Sequence, residues 1–269
     1  DTLKMQLHNF DLTPFSQITD RRGYRISGFT NGSAAMAAAM GRGVLYANIA
    51  FDSLKVNDIP VSSVVFQSKW DFNVQRALFE LVNRKTQKQI VRGYYQPSEH
   101  YYRASVQLDN IDLSLLDPVL KGTIRDSRGK AYAELNLSNP TGKMQLDGQI
   151  YVPSFRTTVD YTSVPYTLDS TVIDVRRNVM TMRNSTVRDD EGHTGAFKMS
   201  FDFSNLRNLA YNVEVSPERM LVLNTTEKDN DLFYGKVYAS GRADIIGNKN
   251  GVDMNIVAAT AGSSQFYLP

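Results

Sequence analysis

Cysteine is absent from the 269 residues, which removes disulfide frameworks and cysteine-held metal sites. Histidine is scarce: His8, His100 and His193 are the three, and no two stand at metal-ligand spacing. No charge sign dominates. Thirty basic residues face 28 acidic ones, interspersed without a basic stripe, so nucleic acid is not an expected partner. Long hydrophobic runs are missing too. The longest extends from Ala34 to Met40, against the ~20 residues that a membrane-crossing helix needs. The N-terminal DTLKMQLHNF has no basic n-region, no apolar h-region and no initiator methionine. The chain is therefore expected to be a segment of a longer protein, with any targeting or anchoring part outside it. Catalytic signatures are lacking: there is no G-x-S-x-G elbow, P-loop or dinucleotide fingerprint, and GRG at Gly41 to Gly43 is too short to cradle a phosphate. Scattered carboxylates leave a glycosidase-like pair undetectable by spacing. The expectation is a protein that is not an enzyme, with no catalytic residue, no cofactor and no metal.

What is present is an ordinary folded composition, 42% apolar and 22% charged, long enough for one elongated domain or two compact ones. It also carries a repeat. LHNFDLTPFSQIT (Leu7 to Thr19) is echoed by LDNIDLSLLDPVL (Leu108 to Leu120), with Leu7, Asn9, Asp11 and Leu12 recurring 101 positions on. The same offset pairs Gly28 with Gly129, Gly41 with Gly142, Leu45 with Leu146, Ile49 with Ile150 and Ser53 with Ser154. It continues through Val74 with Val175, Arg76 with Arg177 and Asn83 with Asn184, which marks an internal duplication. NLAYNVEVSPERMLVL (Asn208 to Leu223) opens a third copy. The expected organisation is a first repeat over 1–107, a second over 108–207 and the start of a third over 208–269, in one continuous sheet.

Period-two alternation dominates. Leu45, Ala47, Ile49 and Phe51 share one face of LYANIAF, and Leu146, Gly148, Ile150 and Val152 take the same places in the copy. Phe197, Met199, Phe201 and Phe203 oppose Ala196, Lys198, Ser200 and Asp202; Val237, Ala239, Gly241, Ala243 and Ile245 form another face, and Val252, Met254, Ile256 and Ala258 a third. The pattern predicts antiparallel strands with one apolar and one wet face. Hairpin punctuation falls at Asp189 to Gly192, Gln96-Pro97-Ser98 and Asn248 to Gly251. SAAMAAAMG (Ser33 to Gly41) and VQRALFELVN (Val74 to Asn83) read as helix in isolation, but their repeat partners alternate, so both are assigned to strand. Helix is confined to short turns at repeat starts, with capping hydroxyls at Thr13 and Ser114 and a third turn starting at Ser216-Pro217-Glu218.

Three features carry possible chemistry. RDDEGHTG around His193 groups three carboxylates with an imidazole, but it lacks the long alternating carboxylate pattern of a calcium loop and fits a polar hairpin tip. The tyrosines of RGYYQPSEHYYR (Arg92 to Arg103) suit cross-strand pairing in a hairpin, or a ligand platform. The apolar faces either pack on one another in a closed sandwich or line an open groove; periodicity does not separate the two, and base rates favour the sandwich.

The C-terminal third, TTEKDNDLFYGKVYASGRADIIGNKNGVDMNIVAATAGSSQFYLP (Thr225 to Pro269), resembles the TamB branch of the AsmA-like envelope proteins, in particular versions from Bacteroides-type bacteria. The likeness rests on acidic-polar residues before FYG at Phe233 to Gly235, ASG at Ala239 to Gly241, IIG at Ile245 to Gly247, the strand through Val252 to Thr260, and the closing FYLP. LDNIDLSLLDPVL is similar to the repeat-opening phrase of that family. The resemblance implies an all-β fold, an elongated, curved antiparallel sheet (a β-taco) built from repeats of about one hundred residues. It also implies a periplasmic location in a Gram-negative envelope, with an inner-membrane anchor in the full-length protein. The implied partners are phospholipid and a TamA-type outer-membrane barrel, the latter through parts beyond this chain. The implied function is a bridge that shields acyl chains for transport between the membranes. Its groove candidates are Leu45, Ile49, Phe51, Leu146, Ile150, Val152, Phe197, Met199, Phe201, Phe203, Val237, Ile245, Met254 and Ile256. The alternatives are a scaffold that assists outer-membrane protein assembly by β-augmentation, and a carbohydrate-binding β-sandwich using the tyrosine hairpin.

Overall fold

A computed structural model describes residues 2–16, 25–39, 42–61, 63–118, 120–205, 208–229 and 233–268, and the side chains of these except 37–39 and 42–45. The protein is all-β: nineteen strands among the described residues belong to one antiparallel sheet. The chain divides into two compact units, one of residues 1–108 and 134–146, the other of residues 109–133 and 147–269.

The first unit contains β1 (Thr2–Asp11), β2 (Ile26–Ala39), β3 (Arg42–Val56), β4 (Ile59–Pro60), β5 (Val64–Asp71), β6 (Arg76–Asn83) and β7 (Gln89–Gln96). Strands β8 (Tyr101–Asp112), β9 (Ile124–Ser138) and β10 (Gln145–Val159) contribute residues to both units. The second unit adds β11 (Val164–Leu168), β12 (Thr171–Arg176), β13 (Val179–Asp189), β14 (Thr194–Asp202), β15 (Ala210–Pro217), β16 (Met220–Thr225), β17 (Tyr234–Asn248), β18 (Gly251–Thr260) and β19 (Gln265–Tyr267). Within each unit, pairing mostly follows chain order as a meander. The exceptions are short strands sharing the flank of a long one, as β11 and β12 share β10.

Both stretches with helix propensity are extended. The alanine-rich Ser33 to Ala39 lies in β2, paired with β1 on one side and β3 on the other. Two ladders of backbone hydrogen bonds outweigh a propensity term of a few tenths of a kcal/mol per residue. Residues Met40 and Gly41 of that stretch lie outside the described residues. Arg76 to Asn83 forms β6, while Val74 falls in the turn before it. Its counterpart Val175 is in β12, and Arg177 sits in a turn at φ +49° where Arg76 opens a strand, so the correspondence loosens there.

The duplication is repeated in backbone detail. Asn9 and Asn110 both adopt left-handed conformations, at φ +45° and +56°, which Asn tolerates better than most residues. Gly28 and Gly129 stand at φ +140° and +142°, a region nearly closed to side chains. After each Asn a carboxylate closes the chain into a 3-10 turn: Asp11 accepts from the N–H and hydroxyl of Thr13 (2.8 and 2.7 Å), and Asp112 from those of Ser114 (3.1 and 2.7 Å). The turns occupy Thr13–Phe15 and Leu113–Leu116. The expected capping hydroxyls are thus donors, and the aspartates two residues earlier are the caps, in the manner of Asx turns. The third expected turn does not form. β15 runs through Pro217, and only Glu218 and Arg219 separate it from β16.

The remaining turn assignments hold. Asp189 to His193 links β13 to β14, a 3-10 turn at Pro97–Glu99 links β7 to β8, and Lys249-Asn250 links β17 to β18. The tyrosine hairpin pairs across strands as its sequence suggests: Tyr95 lies opposite Tyr102, and the rings of Tyr94 and Tyr101 are 6.0 Å apart.

Candidate functional site

In the first unit the backbone register assembles the alternating residues into rows that cross the strands. Leu7, Gly32, Ile49, Phe66, Leu81, Val91 and Val106 are successive partners from β1 to β8. Seven strands at ~4.8 Å spacing make a row roughly 29 Å long. A flanking row runs Ala47, Ser68, Phe79, Gly93, Ala104, and next to it Trp70, Ala77, Tyr95, Tyr102. All project to the same side, because partners share a face and residues two apart along a strand do too. The opposite side carries Asn48, Gln67, Glu80, Arg92 and Ser105 in one such row.

This apolar side is only partly covered. Thr30, Val64, Ser68, Trp70, Ala77 and Ala104 are buried, but Ile49, Phe51, Phe66, Phe79, Leu81 and Val91 are only half-buried. Toward β1 exposure rises, to 45% at Met5 and 68% at Leu3. Among the described residues of this unit, substantial contacts between strands run between sheet neighbours. A packed sandwich would instead bury such side chains almost completely. Of the predicted groove residues, Ile49 and Phe51 belong to this side; the Leu45 side chain lies outside the described residues, and Leu146, half-buried, ends the unit in β10.

The second unit has two differently built regions. In one, rows cross as before: Gly148, Val175, Met180, Phe201, Tyr211, Gly247 and Val252 from β10 to β18, then Met182, Met199, Val213, Ile245, Met254, then Ser185, Phe197, Val215, Ala243, Ile256. The Tyr211 ring lies flat on Gly247, occupying the place where a Cβ would sit. Ile150 joins this side opposite Ile173, and Val152 opposite Thr171. Thr171 and Ser185, polar residues on an apolar side, satisfy each other through their hydroxyls. Six predicted residues are therefore brought into three adjacent rows: Phe197, Met199, Phe201, Ile245, Met254 and Ile256. Val175, Met182 and Ser185, at the β12 and β13 end of these rows, are buried; exposure is intermediate over β14 and β15 and reaches 56% at Met254 and 60% at Ile256 in β18. Phe203 lies one residue beyond β14 and stacks on Phe201, centroids 6.1 Å apart.

The other region is closed. Here β16 contacts β11 and β13 as well as its sheet neighbour β17. Val164 is 0% exposed and Met220 1%, with Leu168, Val187, Leu221, Leu223 and Val237 also buried. The Met220 thioether rests on Gly195. Val237 and Val152 thus belong to sealed parts of the side, not to its open rows. Polar links fasten β16: the Tyr166 hydroxyl donates to the Leu221 carbonyl (2.9 Å), and the Leu221 N–H donates to the Asp189 carboxylate (2.8 Å). Burial, and then the Asp189 charge, push the Tyr166 hydroxyl above the usual phenol range. Burial alone would raise Asp189, but hydrogen bonds from Leu221 and from the ring and N–H of His193 outweigh it and leave the carboxyl below its ordinary value. His193 therefore orients a structural carboxylate, and among the described residues no group of histidines and carboxylates is arranged to hold a metal. Sequence reading placed Asp189 at a polar hairpin tip; its burial had no local signal.

The comparisons with known proteins can be set beside this geometry. No family model, no curated protein and no solved structure matches the chain. The arrangement of its own side chains therefore carries the functional argument. Two properties stand out: an apolar side left partly uncovered in each unit, and one strand, β18, whose ten residues are all exposed. A depression of about 620 Å³ in the first unit is lined by the polar rows and by the flanking row from Ala47 to Ala104, and by none of the central row from Leu7 to Val106.

Proposed function

We propose that this chain is a periplasmic segment of a TamB- or AsmA-like envelope bridge, and that its uncovered apolar side shields phospholipid acyl chains in transit between inner and outer membranes. The observation that carries the reading is the row Met182, Met199, Val213, Ile245 and Met254 with its two neighbours, apolar and without a packed layer above its outer part. Three rows spaced by two residues make a strip about 14 Å wide, comparable with the ~15 Å length of one leaflet's hydrocarbon. Removing a methylene from water is worth about 0.8 kcal/mol. A floor that covers a tail on one side provides part of that, enough to retain the tail while leaving it free to slide. The mechanism needs no chemical step, and its directionality would come from a lipid gradient or from energy supplied elsewhere in the assembly. On this reading the protein is not an enzyme, and any contact with a TamA-type barrel belongs to parts beyond these residues.

Native mass spectrometry of the purified protein tests it. Co-purified phospholipid is expected, with photo-crosslinks to lipid from a probe at Met199 and none from a probe at Lys198 on the opposite side. Lipid-free spectra together with absent crosslinks would overturn the proposal. A second reading draws on β18: its outer edge is unpaired among the described residues, so it could add a strand from an outer-membrane client. Crosslinks from Val257 to unfolded barrel peptides would favour that scaffold role.

A further inference from the structure

The polar side of the first unit contains cations that nothing in the fold uses. Lys69 and Arg103 lie in one cross-strand row with Leu78 and Tyr94, and Arg92 lies in the next row with Gln67, Glu80 and Ser105. All of them line the same depression of about 620 Å³. Elsewhere on this protein basic side chains are commonly paired, as Arg84 is with Asp52, Arg188 with Asp169 and Lys236 with Glu191. Among the described residues no hydrogen bond or ion pair engages Lys69, Arg92 or Arg103. Glu80, the Arg92 register partner, is instead held by the Gln89 amide at 2.7 Å. Arg76 sits over the Tyr94 ring at 4.3 Å and fixes it at the border of the depression.

We propose that this depression is a binding site for an acidic oligosaccharide. Arg92 and Arg103 are diagonal neighbours on adjacent strands, with Cβ atoms roughly 7 Å apart, close enough for both guanidinium groups to clamp one carboxylate or phosphate. Lys69 stands three strands from Arg103, about 14 Å away, and takes a second anionic group on the same ligand. Alongside these cations, at the two ends of the neighbouring row, Asn48 and Gln67 offer amides and Ser105 a hydroxyl, which match sugar hydroxyls. The charged residues belong to the rows opposite the first unit's apolar rows, and the proposal does not depend on the lipid reading.

The test is fluorescence anisotropy with labelled oligogalacturonate, a neutral maltooligosaccharide of matched length, and a single-stranded DNA oligomer. Oligogalacturonate should bind the intact protein at least about tenfold more tightly than either competitor, a difference of ~1.4 kcal/mol. The double variant Arg92→Gln/Arg103→Gln should lose at least about tenfold, as expected when two charge-assisted contacts go, while Arg176→Gln in the second unit should bind as the unaltered protein does. Melting curves of both variants should match the parent, since the replaced side chains are exposed. A further arm uses vesicles bearing a sialylated glycolipid: binding there that falls in the double variant, with none to the soluble oligomer, assigns the site to a lipid-borne acidic sugar. Equal binding of the neutral sugar, tighter binding of DNA, or an unchanged double variant would overturn the proposal.

Discussion

The Asp189 carboxylate, with no side-chain exposure, accepts four hydrogen bonds: from the N–H groups of Glu191 and His193 at one oxygen, and from the His193 ring and the Leu221 N–H at the other. Its neighbour Asp190 makes an exposed two-pronged pair with Arg156. Adjacent residues of the same type thus have different energetic weight. Asp189→Ala is expected to cost about 3 kcal/mol, because the buried Leu221 N–H and three part-buried donors lose their acceptor, whereas Asp190→Ala should cost under ~1 kcal/mol. Urea unfolding of the two variants measures the contrast. Asp112 provides a pH prediction. The Lys130 ammonium at 2.6 Å, with the Ser114 hydroxyl, holds its carboxyl down at about 2. A depressed carboxyl stabilises the fold fully above its ordinary value near 3.8 and loses that contribution as pH falls from there to about 2. Lys130→Met should therefore flatten the decline in melting temperature across that window. The distant partners are not legible locally, since Leu221 lies 32 residues from Asp189 and Lys130 lies 18 from Asp112.

Among the elements, β16 decides which part of the second unit is closed. It is six residues long, and Met220, Leu221 and Leu223 are all buried. Met220→Ala should cost about 2–5 kcal/mol, the usual range for a large side chain removed from a sealed core, and thermal or chemical unfolding will register it. In β18 the same chemistry has the opposite consequence: Ile256→Ala removes a side chain that is 60% exposed and should change stability by under ~1 kcal/mol. MLVLNT gives no local hint that it contacts β11 and β13, because those strands end at Leu168 and Asp189, far from it along the chain. By contrast the alternation in β3, β10, β14 and β17 was readable residue by residue. The period of two is a property of the strand itself.

For the whole molecule, the issue is whether apolar side chains face one another or face outward. Aspartate at two positions on the apolar side of the second unit separates the regions. Val164→Asp buries an unpaired carboxylate in the closed region and should unfold the protein or cost more than ~4 kcal/mol. Met199→Asp lies in the open rows, and should leave the fold cooperative while abolishing lipid crosslinks; circular dichroism and crosslinking read the two outcomes separately. A Met199→Asp protein that unfolds as Val164→Asp does would mean that these rows are a core. The sequence by itself determined the strands, the hairpin turns, the duplicated opening with its Asn and Asp, and the set of residues on the apolar side. These depend on backbone sterics and short-range hydrogen bonds within a repeat. Tertiary structure alone decided that this side is sealed under β16 and partly uncovered elsewhere, that Asp189 is a buried acceptor, and that Lys69, Arg92 and Arg103 line one depression. Burial and convergence depend on which strands become neighbours, and alternation along one strand carries no information about that.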